Sequence, residues 1–293
     1  MQRVACLFAA ALVAAALPAS AQKGVGDVVY VPTPQIVVDT MLRMAQVGPG
    51  DYLIDLGSGD GRVVLSAANR GARALGVDLD RHLLGVANEA AKREGVTGRA
   101  TFREQNLFET DLAGATVITT YLLPDMNLKL RPKILALTPG TRVVAHDYHM
   151  GDWLPDQRET LEVPEKKVGL EGVSYVYLWH VPAQVAGRWR TEIPVAGRST
   201  PFEFELEQRF QIVTGRASAI ASRPTRLQTP RLRGEALSFT VELGPGRPPV
   251  RYEFQGRVEG DDLRGTAHVW ENNVRREVSF DARRVAPAVS TAN

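Results

Sequence analysis

Cysteine is almost absent: Cys6 is the only one in 293 residues, and there are five histidines. Cys6 lies in the apolar run 4–17, which follows Arg3 and precedes the small-x-small triplet Ala19-Ser20-Ala21. That run is shorter than the ~20 residues a bilayer span needs. Its flanks predict a secretory signal peptide over 1–21, with a mature chain starting near Gln22 and exported to the periplasm or beyond. Removal of that segment takes the thiol with it, which excludes disulfides, zinc–cysteine sites and cysteine nucleophiles. The mature chain is expected to carry no membrane span. Lysine stops at Lys167, and the remaining residues use arginine alone. We read that as compositional bias, not a phosphate-binding surface. A net charge of +2, spread along the chain, argues against a nucleic-acid partner. The 44% hydrophobic and 23% charged content is globular, and the length allows two domains.

What is present is an alternation of two periodicities. Apolar spacing predicts helices over 34–45, 62–70, 82–94 and 128–137. Short apolar runs predict strands over 52–56, 74–77, 100–104, 116–122 and 142–146, followed by antiparallel strands over 160–163 and 173–180. The expected fold class is α/β, with a mostly parallel, Rossmann-like sheet over 22–182 and helices on both faces. Val181-Pro182-Ala183 is expected to link it to a second unit. Beyond that the period is 2: Phe202, Phe204 and Leu206 alternate with glutamates, as do Phe239, Val241 and Leu243 around polar neighbours. A small antiparallel β sandwich or barrel over 187–285 follows from this, with 286–293 a loose tail.

The chemistry gathers at the ends of the early strands. Asp55-Leu56-Gly57-Ser58-Gly59-Asp60-Gly61 ends a strand and opens a helix. Gly57 and Gly59 permit a tight turn and a ligand's close approach to main-chain N–H groups. The helix beginning near Gly61 and Arg62 is positively polarised. A dinucleotide loop would need glycine at Arg62, and a phosphate-binding P-loop would need a Gly-Lys-Ser/Thr ending. That leaves S-adenosylmethionine, with its carboxylate on the N–H groups and its ammonium at Asp55. Asp78, about 20 residues on, suits the ribose hydroxyls. Asn106, in Glu104-Gln105-Asn106-Leu107-Phe108, suits the adenine amino group.

These motifs resemble the class I methyltransferases. Within them the chain is similar to the small lysine methyltransferases related to the ATP synthase c-subunit and adenine nucleotide translocase enzymes. The residues carrying the resemblance are Tyr30-Val31-Pro32-Thr33-Pro34, the loop from Leu56 to Arg62, Tyr121-Leu122-Leu123-Pro124 and the stretch from His146 to Trp153. It covers roughly half the chain. It implies a seven-stranded sheet with an antiparallel last strand, closed over the cofactor by the Tyr30–Pro34 segment that carries Thr33. Asn106 departs from the aspartate many relatives have, which implies weaker adenine binding. The implied cofactor-binding residues are Thr33, Asp55, Gly57, Ser58, Gly59, Gly61, Asp78, Asn106 and Leu107.

The implied reaction is methyl transfer to a protein lysine amine, with Tyr30, Tyr121 and Asp147 as catalytic candidates and Thr120 beside them. A tyrosine cage would fit the lysine amine through cation–π contact. The lack of an Asn/Asp-Pro-Pro-aromatic motif argues against methylation of base amino groups. No metal is expected, since His146 and Asp147 should point to opposite faces of one strand. Trp153 is expected in the core and Asp152 in a turn. The competing reading is an exported, non-catalytic binding or envelope protein that reuses this fold. Oligomeric state is left open.

Overall fold

The computed structural model describes residues 30–195, 198–219, 223–243, 250–271 and 274–287. The expected signal peptide, 1–21, lies outside the described residues.

Helix α1 (Gln35–Met44) buries Val37, Val38, Met41 and Leu42, the stripe its helical spacing sets. Strand β1 (Tyr52–Leu56) follows, then α2 (Arg62–Asn69), β2 (Arg73–Asp78), α3 (Arg81–Arg93), β3 (Ala100–Glu104) and β4 (Val117–Thr120). Helix α4 (Pro124–Leu135), β5 (Arg142–His146), β6 (Gln157–Glu162) and β7 (Val173–His180) complete the first sheet. Its order is β3-β2-β1-β4-β5-β7-β6. Strands β1 to β5 run parallel, and β7 is antiparallel to both β5 and β6. The strand order reverses between β1 and β4, so the crevice outside their C-terminal ends is where an open α/β sheet binds ligands. Leu53, Ile54, Val117, Ile118, Val143 and Val144 fill the sheet's two faces, each fully buried. Burial of such a side chain is worth roughly 1.5–3 kcal/mol.

Two local expectations are corrected. Helix α4 begins at Pro124, not at 128, because proline at the first helical position needs no N–H partner there. Strand β4 stops at Thr120, and Tyr121 and Leu122 leave the sheet to line the crevice.

The second unit is one nine-stranded antiparallel sheet: β8 (Gly187–Val195), β9 (Arg198–Arg209), β10 (Ile212–Ala219), β11 (Thr225–Arg226), β12 (Gln228–Arg233), β13 (Ala236–Leu243), β14 (Val250–Glu259), β15 (Asp262–Glu271) and β16 (Val274–Pro287). The order β11-β10-β9-β8-β16-β15-β14-β13-β12 brings β10 back against β12, a nearly closed barrel and not a two-sheet sandwich. Its lumen is packed by Phe202, Phe204, Phe239, Phe254 and Phe280, with ring centroids 5.0–6.0 Å apart. Ala286 and Pro287 pair with Arg188 and Gly187 in the barrel, so the expected tail starts within a strand; 288–293 lie outside the described residues.

The two units are packed together. Val181 and Ala183 are buried, and Ala183 donates to the Gly234 carbonyl at 2.8 Å, so 181–183 is a packed connection and not a free linker. Phe210, at the β9–β10 turn, stacks on fully buried Trp153 with centroids 6.2 Å apart. Asp152 is more than a turn residue, because its carboxylate accepts from Arg131 of α4 and from Arg209 of the barrel.

Candidate active site

The crevice holds a cavity of about 310 Å³ walled by residues from β1, β2 and β4 and from the segment before α1. Tyr30, Thr33, Asp55, Gly57, Ser58, Asp78, Asn106, Leu107 and Tyr121 line it. Gly59 and Gly61 do not, and their part is steric. Gly59 has φ +53°, and a Cβ there would stand 2.4 Å from Tyr30 Cε2, so only glycine lets the Tyr30 ring settle on the loop. A Cβ at Gly61, φ +81°, would meet Phe102 at 2.6 Å and Ala87 at 2.7 Å.

Four of the loop's N–H donors, those of Gly57, Ser58, Gly59 and Gly61, are engaged within the fold. Gly57 and Ser58 N–H both donate to the Val77 carbonyl (2.9 and 3.0 Å), and Gly61 N–H donates to Ser58 O at 2.9 Å. Gly59 N–H donates to Asp78 Oδ2 at 2.8 Å, while Asp78 Oδ1 accepts from Asp80 N–H at 3.0 Å. Asp78 is thereby aimed by two backbone bonds, and each oxygen keeps a lone pair for a hydroxyl. Asn106 is likewise occupied. Its Oδ1 accepts from Phe108 N–H at 3.0 Å and its Nδ2 donates to Glu109, an Asx turn that holds the cavity floor.

Asp55 is the least solvated carboxylate of the group, 5% exposed, and accepts from Thr119 Oγ1 at 2.7 Å. Burial pushes its pKa to about 7; the Thr119 hydroxyl pulls down, and the charges of Asp78 and Asp60 push up. Beside it, Ser58 Oγ and Thr120 Oγ1 are buried and have no hydrogen-bond partner among the described residues. An unpaired buried hydroxyl costs about 1–3 kcal/mol, a cost that a polar ligand in the cavity removes.

Arg62, which closes the glycine loop in the sequence, is the clamp of this region. Its guanidinium donates from Nη1 to the Thr33 carbonyl at 2.7 Å, and from Nε and Nη2 to the Asp60 carboxylate at 2.9 and 2.6 Å. Burial alone would raise the Asp60 carboxyl, but the Arg62 fork holds it below its ordinary value. Tyr30, half-buried with its hydroxyl next to Asp60, has its pKa raised by burial and by that carboxylate. The Tyr30–Pro34 segment is thus tied down over the glycine loop.

On the other side of the crevice stands Tyr121, with His146 and Asp147 packed behind it. Tyr121 packs on the His146 ring with centroids 3.9 Å apart and lies 6.2 Å from that of Tyr148. Its pKa is raised by burial and by Asp147. His146, fully buried, meets Thr33 Oγ1 at 3.3 Å through Nδ1 and Ser174 Oγ at 3.0 Å through Nε2. Burial drives its pKa down to about 4, with Lys166 adding to the fall and Asp147 opposing it. His146 and Asp147 do not point apart as a strand pair would. Asp147 has φ +61°, outside the strand, and its Oδ1 comes within 3.5 Å of His146 Nε2. Among the described residues no group of three or more His, Cys, Asp or Glu is arranged to hold a metal ion.

The pattern of the family described as "ANTKMT methyltransferase domain" matches residues 55–157, the glycine loop through β5 and into β6. The chain is 41% identical over 144 residues to the protein-lysine N-methyltransferase of Saccharolobus islandicus (strain REY15A), covering 48% of this chain and 88% of that protein. The chain belongs to the protein-lysine N-methyltransferase family. It is 34% identical over 128 residues to the rat lysine N-methyltransferase of the ATP synthase c-subunit, covering 43% of this chain and 59% of that one. Against the mouse adenine nucleotide translocase lysine N-methyltransferase the identity is 33% over 131 residues, covering 44% and 57%. The chain therefore spans somewhat over half the length of these two mammalian relatives. A crystal structure described as an RNA methyltransferase from Salinibacter ruber with S-adenosyl-L-homocysteine is 47% identical, covers 53% of this chain and 96% of that one, and has a TM-score of 0.47.

In this methyltransferase, Asp147 stands apart from the other expected catalytic residues, Tyr30 and Tyr121, which line the cavity. It does not line the cavity and lies behind Tyr121. Three residues in or behind the site have roles that the sequence did not assign. Arg62 and Lys129 line the cavity, Lys129 with its ammonium 4.1 Å from the Phe108 ring centroid, and Lys166 pairs with Asp147. Only Arg62, placed directly after the glycine loop, was open to discovery from sequence. Lys166 sits in a charged turn like many surface turns.

Proposed function

We propose that the α/β domain binds S-adenosylmethionine in the 310 Å³ cavity and transfers its methyl group to a protein lysine amine. The observation that carries this reading is the pair of aimed carboxylates at the strand switch point. Asp55 is a buried carboxylate that an ammonium would stabilise. Asp78 is held by two backbone N–H groups and faces the same space. The orphaned hydroxyls of Ser58 and Thr120 fit a polar ligand between them. When bound, the cofactor supplies a methyl group already activated by a sulfonium, so the chain needs no acid–base pair. Asp55 and Asp78 would hold it, with Leu107 and Phe108 against its base. Arg62 holds the Tyr30–Pro34 segment shut and excludes water. Tyr121 lines the acceptor approach with the Tyr148 ring stacked next to it, and aromatic faces suit an amine.

The test is incubation of the protein with methyl-labelled cofactor and a cell extract, then hydrolysis and chromatography. Label in methyl-lysine is expected. Label in nuclease-sensitive material, or none at all with cofactor bound, would overturn the acceptor or the activity respectively. The second outcome would favour the non-catalytic envelope reading. Export, expected from residues 1–21, belongs to this proposal, and amino-terminal sequencing of the natural protein at Gln22 checks it. Among the described residues no helix is long and apolar enough to cross a membrane.

A further inference from the structure

Behind Tyr121 lies an ion pair that methyl transfer does not require. The Lys166 ammonium is 2.5 Å from Asp147 Oδ2 and donates to the Val173 carbonyl at 2.5 Å, with side chains only 3% and 7% exposed. Asp147 Oδ1 accepts from Tyr175 N–H at 3.0 Å. Lys166 comes from the β6–β7 connection, folded tightly by Lys166 N–H to Val163 O at 2.9 Å and Gly172 N–H to Lys166 O at 3.1 Å. Stability does not explain such a pair, because apolar residues of similar volume usually serve as well or better.

The charge does have a use. The acceptor amine must be neutral: its lone pair forms the N–C bond as the methyl–sulfur bond breaks, that electron pair stays on sulfur, and the methylated product loses a proton to water. Asp147 lies behind the Tyr121 that lines the cavity, and a bare carboxylate there would favour the protonated, unreactive form of an amine docked on Tyr121. The titratable and charged groups facing Asp147 are Tyr121 from the end of β4, His146 and Tyr148 alongside it, Tyr175 and Tyr177 from β7, and Lys166. Arg158 of β6 lies farther out, over the Tyr175 ring. His146 is buried and uncharged, so among the described residues Lys166 is the cation that balances Asp147.

Resting on the reading that the acceptor is a protein lysine, we propose that Lys166 is an internal counter-ion that keeps the acceptor side electrically neutral, so that the incoming amine is not held as an ammonium. The test is binding of Nα-acetyl-lysine methylamide at pH 7, followed by NMR, to the full-length, cofactor-free protein. K166M, nearly the same length, unmasks Asp147 and is expected to bind the protonated amine about tenfold more tightly than wild type. K166R should match wild type. K166M/D147N, neutral at both positions, should return to the wild-type affinity and guards against misfolding of the single variant. In the extract assay the K166M rate profile should move alkaline by about one pH unit.

A folded K166M that binds the amine no tighter, or whose pH profile is unmoved while its rate falls, overturns the counter-ion role and leaves the lysine reading intact. No binding by any variant, wild type included, overturns the lysine reading and this role with it.

Discussion

Replacing Asp55 with asparagine should weaken cofactor binding and stabilise the empty protein at once. The carboxyl of Asp55 titrates near pH 7 instead of 3.8, because burial penalises its charge. That gap of roughly three pH units is worth about 4 kcal/mol. The folded-state pKa is raised, so stability is gained as pH falls through 7 and lost as it rises. An asparagine in its place would keep an oxygen to accept from Thr119 and would remove the charge. D55N should therefore exceed wild type by about 4 kcal/mol at pH 8, and by about half that at pH 5. At pH 8 this is a rise in Tm on the order of 10 °C. Binding runs the other way, since an ammonium needs the carboxylate ionised. Wild-type affinity for S-adenosylhomocysteine should fall about twentyfold from pH 7.5 to 5.5. It should also fall above about pH 8, where an α-amino group loses its proton. Calorimetry in two buffers of different ionisation enthalpy would count the proton released below pH 7. Affinity flat across that range, or the same slope in D55N, would refute the assignment of Asp55 to the ammonium.

His146 supplies an opposing slope: its folded-state pKa of about 4 lies below 6.5, so the stability present above pH 6.5 is lost progressively down to pH 4. The loss is about 2 kcal/mol at pH 5, and H146N should show a correspondingly flatter fall in Tm from pH 7 to 5. Because Asp55 gains where His146 loses, wild type alone will hide both, and the two single variants are needed. Gly59→Ala places a Cβ 2.4 Å from Tyr30 in a left-handed residue. It should cost about 1–2 kcal/mol and, by lifting Tyr30, reduce cofactor affinity at least about tenfold, measured by calorimetry. Phe210→Ala removes the stack on Trp153 and should lower stability by about 1–2 kcal/mol in denaturant titration, with the cofactor Kd unchanged. A cofactor Kd that moves with it would mean the barrel shapes the site.

Strand and helix identity in the first unit were legible because each is set by residues a few positions apart. The glycine loop was legible for the same reason: Gly57, Gly59 and Gly61 adopt left-handed backbone within one turn of chain, at the end of a short apolar run. The 19 positions from Gly59 to Asp78 are one helix and one strand, so their meeting at the switch point follows from βαβ topology. Whether the period-2 segments would form a sandwich or a barrel was not legible, because closure depends on β10 reaching β12 across the whole sheet. Nor were the partners of the Gly57, Ser58 and Gly59 N–H groups, which the fold spends on Val77 and Asp78. The acceptor side is the clearest case. Thr33 and His146 are 113 positions apart, and Asp147 meets its partners from residues 166 and 175 only after β7 has inserted antiparallel between β5 and β6. Local backbone preference settled where the crevice opens along the strands. Which charges stand beside it was decided by tertiary packing, because burial and ion pairing depend on neighbours that are remote in sequence.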